Sequence, residues 1–573
     1  MASVRPSEEA VMLTLTLNPG FVPIMAALAA FATPRGVRPL IIVGSALTAL
    51  WLLLDREFGA AAAIAQMGLP VVLLNLDALN RIFGIALIIA LIAIGIYSSG
   101  RRNRYEDAAI LTMAGSAIAA LFVGDLVSFV AAASLAGLSG AWLVFASPLE
   151  GASRAGARLL IWHGLEGLLF LVGVAFHLSA GAGGSVFARL DLSTIGGGFI
   201  FAGLMIRVGG PLAHVWLKDA IAHASPAGGG ALACFTTMLG VYALARLFPA
   251  EPVLVLVGAA MTVWSAFYAV AEDDLRRAAA YAMTMQAGIC VALIGVGTPL
   301  ALAAAEGHAF ATVLGYLALQ LALGAIVERL GHARISGLAG AAGALPVNCL
   351  LLLGAGLSVA GLPGFASFAT HAVALEAVAE WELRWLWALF AIVPAIVFVG
   401  LALRGSLAAY AAGHHPAQKG EAPFGMMLGA GLALFLSASV GLAPRWLYDL
   451  MPTGLEFQAF APDRLAPQAE LLGAAGVVFL LLRPTAARAK AAHLLDVDAL
   501  YRGPLASAGR WAGVLTLRVY GAWQDWAASL AAGGAKRLRT LAESCDRPYA
   551  GSTGAFFQLL ALAGLVIAAL VTR

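Results

Sequence analysis

Glu166 lies near the midpoint of an apolar run, residues 156–178, with His163 three residues before it. Positions three apart share a helix face, so this carboxyl and imidazole can meet. Such a pair can carry a proton, and it can equally be a neutral, hydrogen-bonded structural pair; the residues alone leave both readings open. A charged group at a bilayer centre costs roughly 2.5–3.5 kcal/mol on insertion scales, so Glu166 must face a partner, face water or hold a proton. Other ionisable groups in apolar runs are few. Arg207 sits near the middle of 195–217, too deep to reach the headgroups easily, which favours function or ion pairing over a packing kink. His308 near the start of 301–328 is a relay or a satisfied structural group, and His371 lies in 345–380. Glu376 follows His371 by five residues, which is a different helix face, and receives no role.

Two of these residues adjoin helix-breaking sequence. Arg207 precedes Gly209-Gly210-Pro211, and Gly361-Leu362-Pro363-Gly364 precedes His371. Lipid cannot satisfy the backbone groups that such breaks free, so protein or a wet cavity must receive them. A pair of interrupted spans at corresponding positions points to an ion or substrate site built on an internal repeat.

The elements that hold these groups are membrane spans of about 20 apolar residues each. Candidates run at 12–32, 39–55, 80–98, 107–123, 125–147, 156–178, 195–217, 226–248, 252–270, 277–297, 301–328, 345–380, 384–404, 423–443, 468–483 and 554–571. The segment 56–76, interrupted by Gly59, Gly68 and Pro70, reads as an extracytoplasmic loop or re-entrant piece. Basic residues after the odd-numbered spans (Arg35 and Arg38, Arg101 to Arg104, Arg154 and Arg158, Lys218, Arg276 and Arg277, Arg329 and Arg334) put those loops in the cytoplasm and both termini outside. The chain is 61% hydrophobic and 11% charged, against about 25% charged in soluble domains, which excludes a soluble enzyme, a disordered chain and a nucleic-acid binder. A net charge of +3 implies no acidic partner. Cys234, Cys290, Cys349 and Cys545 show no metal spacing and read as packed thiols. The segment after Val11 is long enough to span and carries no cleavage pattern.

Residues 484–550 differ from the rest. Arg483, Arg488, Lys490, Arg502, Arg510, Arg518, Lys536, Arg537 and Arg539 mix with Leu, Val and Trp, and Trp511, Trp523 and Trp526 suit the headgroup level. One or two amphipathic helices on the cytoplasmic face fit this pattern, with a disordered basic linker as the alternative. The final span 554–571 then crosses outward.

Several strings together carry a family resemblance. They are His214-Val215-Trp216-Leu217-Lys218-Asp219-Ala220, Ser225-Pro226, and Gly240-Val241-Tyr242 through Arg246. Asp273-Asp274-Leu275-Arg276-Arg277, Ala280-Tyr281 and Gln286-Ala287-Gly288 follow, then His308-Ala309-Phe310-Ala311 and Gly361-Leu362-Pro363 through Phe368. In this order, over nearly the whole chain, the set resembles the antiporter-like membrane subunits of Mrp-type Na⁺/H⁺ antiporters, respiratory complex I and membrane hydrogenases. Asn18-Pro19, Gly124-Asp125, and Asp496-Val497-Asp498 with Tyr501-Arg502 resemble the D subunit of the Mrp type in particular.

The resemblance implies an all-α polytopic membrane protein of about fourteen core helices in two inverted five-helix repeats, each with a broken helix. The corresponding divisions are N-terminal helices 1–106, repeats 107–250 and 251–404, core helices 405–483, the amphipathic segment 484–550 and a last helix 551–573. It further implies proton movement along a midplane row of ionisable groups, partner subunits in a bacterial cytoplasmic membrane, Na⁺ as the candidate counter-cation, no nucleic acid, and no cofactor or metal of the chain's own. The sequence shows no Rossmann glycine fingerprint, iron–sulfur spacing or haem motif.

His214, Asp219, Asp274 and Gln286 are the motif residues. Carried over onto the family's ionisable row, the fifth-helix carboxylate falls on Ser134, the seventh-helix lysine on Arg207 and the eighth-helix lysine on Met238. The eleventh-helix positions fall on Thr312 and Tyr316, and the twelfth-helix lysine on His371. Glu166 then stands in for the missing acid, paired with Arg207, and His371 serves the second half-channel. Two further readings stay open: a structural paralogue that does not pump, and a membrane-arm subunit of a quinone- or ferredoxin-linked oxidoreductase.

Overall fold

The computed structural model describes residues 17–66, 69–100, 103–181, 185–413, 420–452, 455–486, 496–497, 499 and 501–545. The chain divides into two compact units, Met1–Leu494 and Leu495–Arg573. The expected last span, 554–571, lies outside the described residues, as do residues 12–16 of the first.

The first unit opens with α1 (Phe21–Ala32) and α2 (Arg38–Leu54), a hairpin of β1 (Gly59–Gln66) and β2 (Leu69–Leu76), and α3 (Ala78–Ser98). A pattern of long, broken and interrupted helices then runs twice. The first pass is α4 (Arg104–Phe122), α5 (Leu126–Phe145), the long α6 (Ala152–Ser179), a broken helix α7 (Ile195–Arg207) and α8 (Val215–His223), and an interrupted helix α9 (Pro226–Phe235) and α10 (Thr237–Leu247). The second pass is α11 (Val253–Ala271), α12 (Leu275–Val296) and the long α13 (Pro299–Leu330). After a short α14 (Ala341–Ala344) it continues with a broken helix α15 (Pro346–Val359) and α16 (Ala366–Glu380), then α17 (Arg384–Val397), a π-turn at Phe398–Leu403 and α18 (Arg404–Ala409). Each pass counts five helices when a broken or interrupted helix is taken as one. The unit closes with α19 (Phe424–Leu442), α20 (Arg445–Leu450) and α21 (Pro462–Ala486). Among the described residues, eleven helices are long and apolar enough to cross a membrane.

Local sequence sets the ends. Asp125, Thr194, Ser225 and Thr298 each accept a backbone N–H in the first turn of the helix they cap. Pro226 and Pro299 occupy first-turn positions that need no N–H, and Gly297 and Gly331 end α12 and α13 in the left-handed region at φ 71° and 78°. The helices α12 and α13 are buried along almost all of their length and carry a few polar side chains into the interior. Arg38 binds Asp107 at 3.1 Å with both side chains buried, pinning α2 to α4.

The segment 56–76 is not a loop or re-entrant piece. It is an antiparallel hairpin in which Gly59 faces Leu76 and Gln66 faces Leu69. Residues far away in sequence tie it down. Val72 N donates to Asp125 Oδ2 at 2.8 Å, Gly124 N donates to the Val72 carbonyl at 2.8 Å, and Asn18 Nδ2 donates to the Leu73 carbonyl at 2.8 Å. Hence the motif residues Asn18 and Gly124-Asp125 hold the backbone of β2.

In the second unit, a π-turn at Tyr501–Leu505 leads into α22 (Ala506–Cys545), 40 residues and roughly 60 Å long at 1.5 Å per residue. Leu515, Val519, Trp523, Trp526 and Leu530 fall on one arc of α22 and Arg510, Arg518, Asp525, Lys536 and Arg539 on the other.

Asp125 accepts from both Val72 N and Ser128 N, so one carboxylate caps α5 and holds the hairpin. Asp125→Ala is expected to lose roughly 0.5–2 kcal/mol from the cap alone. Hydrogen exchange should rise at 69–76 and at the start of α5 while α15 stays protected.

Candidate functional site

The first break begins where α7 ends at Arg207. Gly209 and Leu212 both turn into the left-handed region, at φ 72° and 69°, and α8 resumes at Val215. Gly210 N returns to the Met205 carbonyl at 2.7 Å, and the indole Nε1 of Trp216 donates to the Ile206 carbonyl at 2.8 Å. The backbone groups freed by Gly-Gly-Pro are thus met inside the protein.

Arg207 points from this break into a fully buried cluster. Its Nε donates to Glu166 Oε1, and its Nη2 donates to the Ala133 carbonyl at 2.8 Å. Glu166 Oε2 meets His163 Nδ1 at 2.5 Å. The Trp216 ring stands edge-on to His163 with centroids 4.8 Å apart. Small residues make the space: a methyl at Gly137 would lie 2.9 Å from the His163 side chain, and one at Gly240 would lie 3.0 Å from Arg207 Cγ.

Ser134 on α5, onto which the resemblance carries the family's carboxylate, sits against Gly167 on α6, where a methyl would lie 3.1 Å from its hydroxyl. The acid is therefore carried by the facing helix, one residue from that contact. His163 Nε2 and Arg207 Nη1 have no hydrogen-bond partner among the described residues, so each can bind a water.

The second break follows α15. Gly361 and Gly364 take φ of 69° and 102°, Leu362 N returns to the Leu357 carbonyl at 3.1 Å, and Gln468 Nε2 donates to the Gly361 carbonyl at 3.0 Å. Beyond it on α16, His371 Nε2 lies 3.1 Å from the Phe390 carbonyl of α17. That carbonyl is spare because Pro394, four residues on, has no N–H to offer it. A carbonyl only accepts, so Nε2 carries the hydrogen. The His308 ring stands 5.9 Å from that of His371 and is held by Gln286 Oε1 at 3.0 Å and Thr370 Oγ1 at 3.3 Å. A cavity of about 600 Å³ between α16, α17 and α21 reaches His371, with Glu376, Arg464 and Gln468 on its wall.

The five candidate residues therefore form two groups, His163–Glu166–Arg207 and His308–His371. Of the motif residues, Gln286 orients His308, Asp274 caps α12 through Arg276 N at 2.9 Å, and Asp219 is buried against Arg158. His214 lies beside Tyr281, with ring centroids 6.1 Å apart. Met238, Thr312 and Tyr316 are buried.

Lys218 departs from its expected place. It is not a loop residue at the cytoplasmic end but a buried member of α8, its Nζ 2.6 Å from Tyr281 Oη. The signal lay in the spacing, since His214 and Lys218 are four apart and share a face. Glu272 was also missed. It lines an open polar cavity of about 880 Å³ with Asp273, Arg277, His223 and Arg154. Burial pushes its carboxyl above the ordinary range, against the nearby charges of Arg277 and Lys218.

Comparison with known proteins agrees with the motifs. Residues 123–397 match the family described as NADH:quinone oxidoreductase/Mrp antiporter, transmembrane. "NADH-quinone oxidoreductase subunit N" of Desulforudis audaxviator is 31% identical over 176 residues, 29% of this chain and 35% of that protein. The A-type member of the Na(+)/H(+) antiporter of Bacillus subtilis is 25% identical over 276 residues, 42% of this chain and 34% of that protein. The chain thus spans about a third of the length of these relatives. A chain in the structure of the Mrp complex from Dietzia sp. superimposes with a TM-score of 0.72 at 21% identity, covering 98% of this chain and 71% of that one. The region 123–397 therefore matches the transmembrane family shared by NADH:quinone oxidoreductases and Mrp antiporters, and the fold is the mostly helical polytopic one of these membrane subunits.

Removing one member of a buried ion pair strands the other. Arg207→Leu is expected to destabilise the protein by about 3–5 kcal/mol, and Arg207→Leu with Glu166→Leu to recover most of that loss. Thermal unfolding in mild detergent reads the difference; equal midpoints for the single and double variants would show that the two charges are not coupled.

Proposed function

We propose that this chain is the proton-handling membrane subunit of a multi-subunit Na⁺/H⁺ antiporter, with a motif set of the D type and a route rebuilt around Glu166. The carrying observation is that Glu166 bridges Arg207 and His163 at the first helix break, beside the position where the family acid is replaced by Ser134. Arginine keeps its proton in proteins. Exchange in this cluster therefore runs along the contact between Glu166 Oε2 and His163 Nδ1: the bond from hydrogen to one atom breaks as the bond to the other forms. His163 Nε2 gives the cluster its outlet. In the second repeat, His308 and His371 form the corresponding step, and the cavity at His371 supplies water access.

In this reading the chain works with other subunits in a bacterial cytoplasmic membrane, with both termini outside, and Na⁺ is the counter-cation. The amphipathic helix α22 lies along the cytoplasmic surface. A second reading is favoured by the relative named as a quinone oxidoreductase subunit: a membrane-arm subunit whose redox chemistry resides in partners. The assembly purified in mild detergent separates the two, since flavin or iron–sulfur subunits accompany only the second. A third, a scaffold that does not pump, draws on Met238 and on the neutral residues at 312 and 316.

Glu166→Gln keeps the shape and removes the titrating group. Cation-dependent proton exchange in everted vesicles should fall to the background of vesicles lacking the chain, with the complex still assembled. Unchanged exchange would sink the transport reading through Glu166.

A further inference from the structure

Glu376 falls on none of the ionisable positions carried over from the family and has no part in the route above, yet it stands on the same cavity as His371. We propose that the ion pair between Glu376 and Arg464 is the aqueous mouth of that cavity. Closed, it keeps water out; when it parts, water reaches His371. The inference takes its purpose from the transport reading and its geometry from the cavity alone.

Glu376 lies about 140° around α16 from His371, which the spacing reads as a different face. The cavity is wide enough to take in both, since Ala372 and Leu375 lie on its wall between them. His371 Nε2 is engaged by the Phe390 carbonyl, which leaves the lone pair of Nδ1 to take up a proton. At the other end of the cavity, Arg464 Nη2 donates to Glu376 Oε2 at 3.2 Å. That end is the aqueous one. The helix α16 ends at Glu380, and Trp381, Glu382, Arg384 and Trp385 follow, all exposed, which is the mixture of aromatic and charged side chains found at a bilayer interface. The flank between Trp387 and Ile392 is also open, but its side chains are mostly apolar and lie further into the span, so acyl chains meet it instead of water.

The pair is built to part. The Arg464 and Glu376 side chains are 26% and 44% exposed, and an ion pair in such surroundings is held weakly. Arg464 has two other contacts: its Nη1 donates to the Gln458 carbonyl at 2.9 Å, and its guanidinium carbon lies 4.2 Å from the Phe457 ring centroid. It therefore keeps its place when the carboxylate swings away. Gln468 meanwhile holds α21 to the break through the Gly361 carbonyl, so opening takes a change of rotamer at Glu376 and no movement of the helix. Asp463 puts a second carboxylate on the wall, which leaves the open mouth lined for water and cations in preference to anions.

The alternative is that the pair only staples α21 to α16. Ala372→Cys, on the cavity wall, separates the two through its rate of modification by water-soluble thiosulfonates, measured on the complex in lipid nanodiscs and corrected for the complex without that substitution. Glu376→Gln and Arg464→Gln are each expected to speed labelling about fivefold, and the double variant no more than either alone, because all three open one closure. A cationic and an anionic reagent are compared. A rise with both reports access. Opposite changes report only the altered local charge and overturn the mouth, as does no change with either reagent, or effects that multiply in the double variant. Ala391→Cys on α17 reads the same wall if Ala372→Cys does not assemble. His371→Ala separates this inference from the reading it rests on. Unchanged labelling, in a complex whose cation-dependent proton exchange His371→Ala silences, overturns the mouth alone. Faster labelling, in a complex whose exchange survives His371→Ala, keeps the mouth and overturns the transport role of this cavity.

Discussion

A guanidinium buried in the middle of a membrane protein is the constraint around which the first repeat is arranged. Arg207 is 1% exposed, and so large a desolvation is tolerated only with an opposite charge and hydrogen bonds at hand. Glu166 supplies the charge from α6 and Ala133 supplies a carbonyl from α5, so three helices meet at one side chain. Their approach requires little bulk, which is why Gly137 lies under His163 and Gly240 under the arginine stem. The break itself belongs to the same arrangement. Trp216 both answers the carbonyl of Ile206 and covers the face of the cluster at His163.

The second pass is centred on a pair of histidines, His308 and His371, where the first is centred on an ion pair. Proline does there part of what a charge does in the first. Pro394 leaves the Phe390 carbonyl without its helical donor, and His371 takes that place. His308 is oriented by a neutral amide and a hydroxyl. Thr312 returns its hydroxyl to the His308 carbonyl at 2.7 Å and so serves the helix. The two halves share an architecture of long helix, broken helix and interrupted helix, but they hold charge in different ways.

Much of this was legible in the residues. Apolar runs gave most of the described spans to within a few residues, though the first helix begins only at Phe21 and the run 468–483 begins at Pro462, and Gly-Gly-Pro and Gly-Leu-Pro-Gly gave both breaks. The meeting of Glu166 with Arg207 followed from the scarcity of other partners at that depth. What stayed hidden depends on long-range pairing. The hairpin 59–76 reads as an apolar loop because its partners, Asn18 and Asp125, are distant in sequence. Lys218 reads as a loop cation because periodicity does not say where a broken helix resumes. The link from Pro394 to His371 crosses between two helices, and no local pattern records it. The one-residue interruption at Thr236, with φ −99° and ψ −72°, has no proline or glycine beside it to announce it.

The position of Arg207 within α7 gives the cluster one more property. It stands in the last turn, where unpaired carbonyls make the helix end negative and a cation is favoured. Breaking the helix at this residue therefore creates the field that helps hold the guanidinium, and the guanidinium in turn makes a buried carboxylate tolerable at Glu166. With arginine fixed as a cation and glutamate as its counter-ion, the trio is neutral when His163 is neutral and carries one positive charge when a proton is added. A lysine at 207 would give the trio two groups able to release a proton. In the transport reading, arginine leaves only the edge between Glu166 and His163 for proton exchange, while it keeps the charge that holds the three helices together.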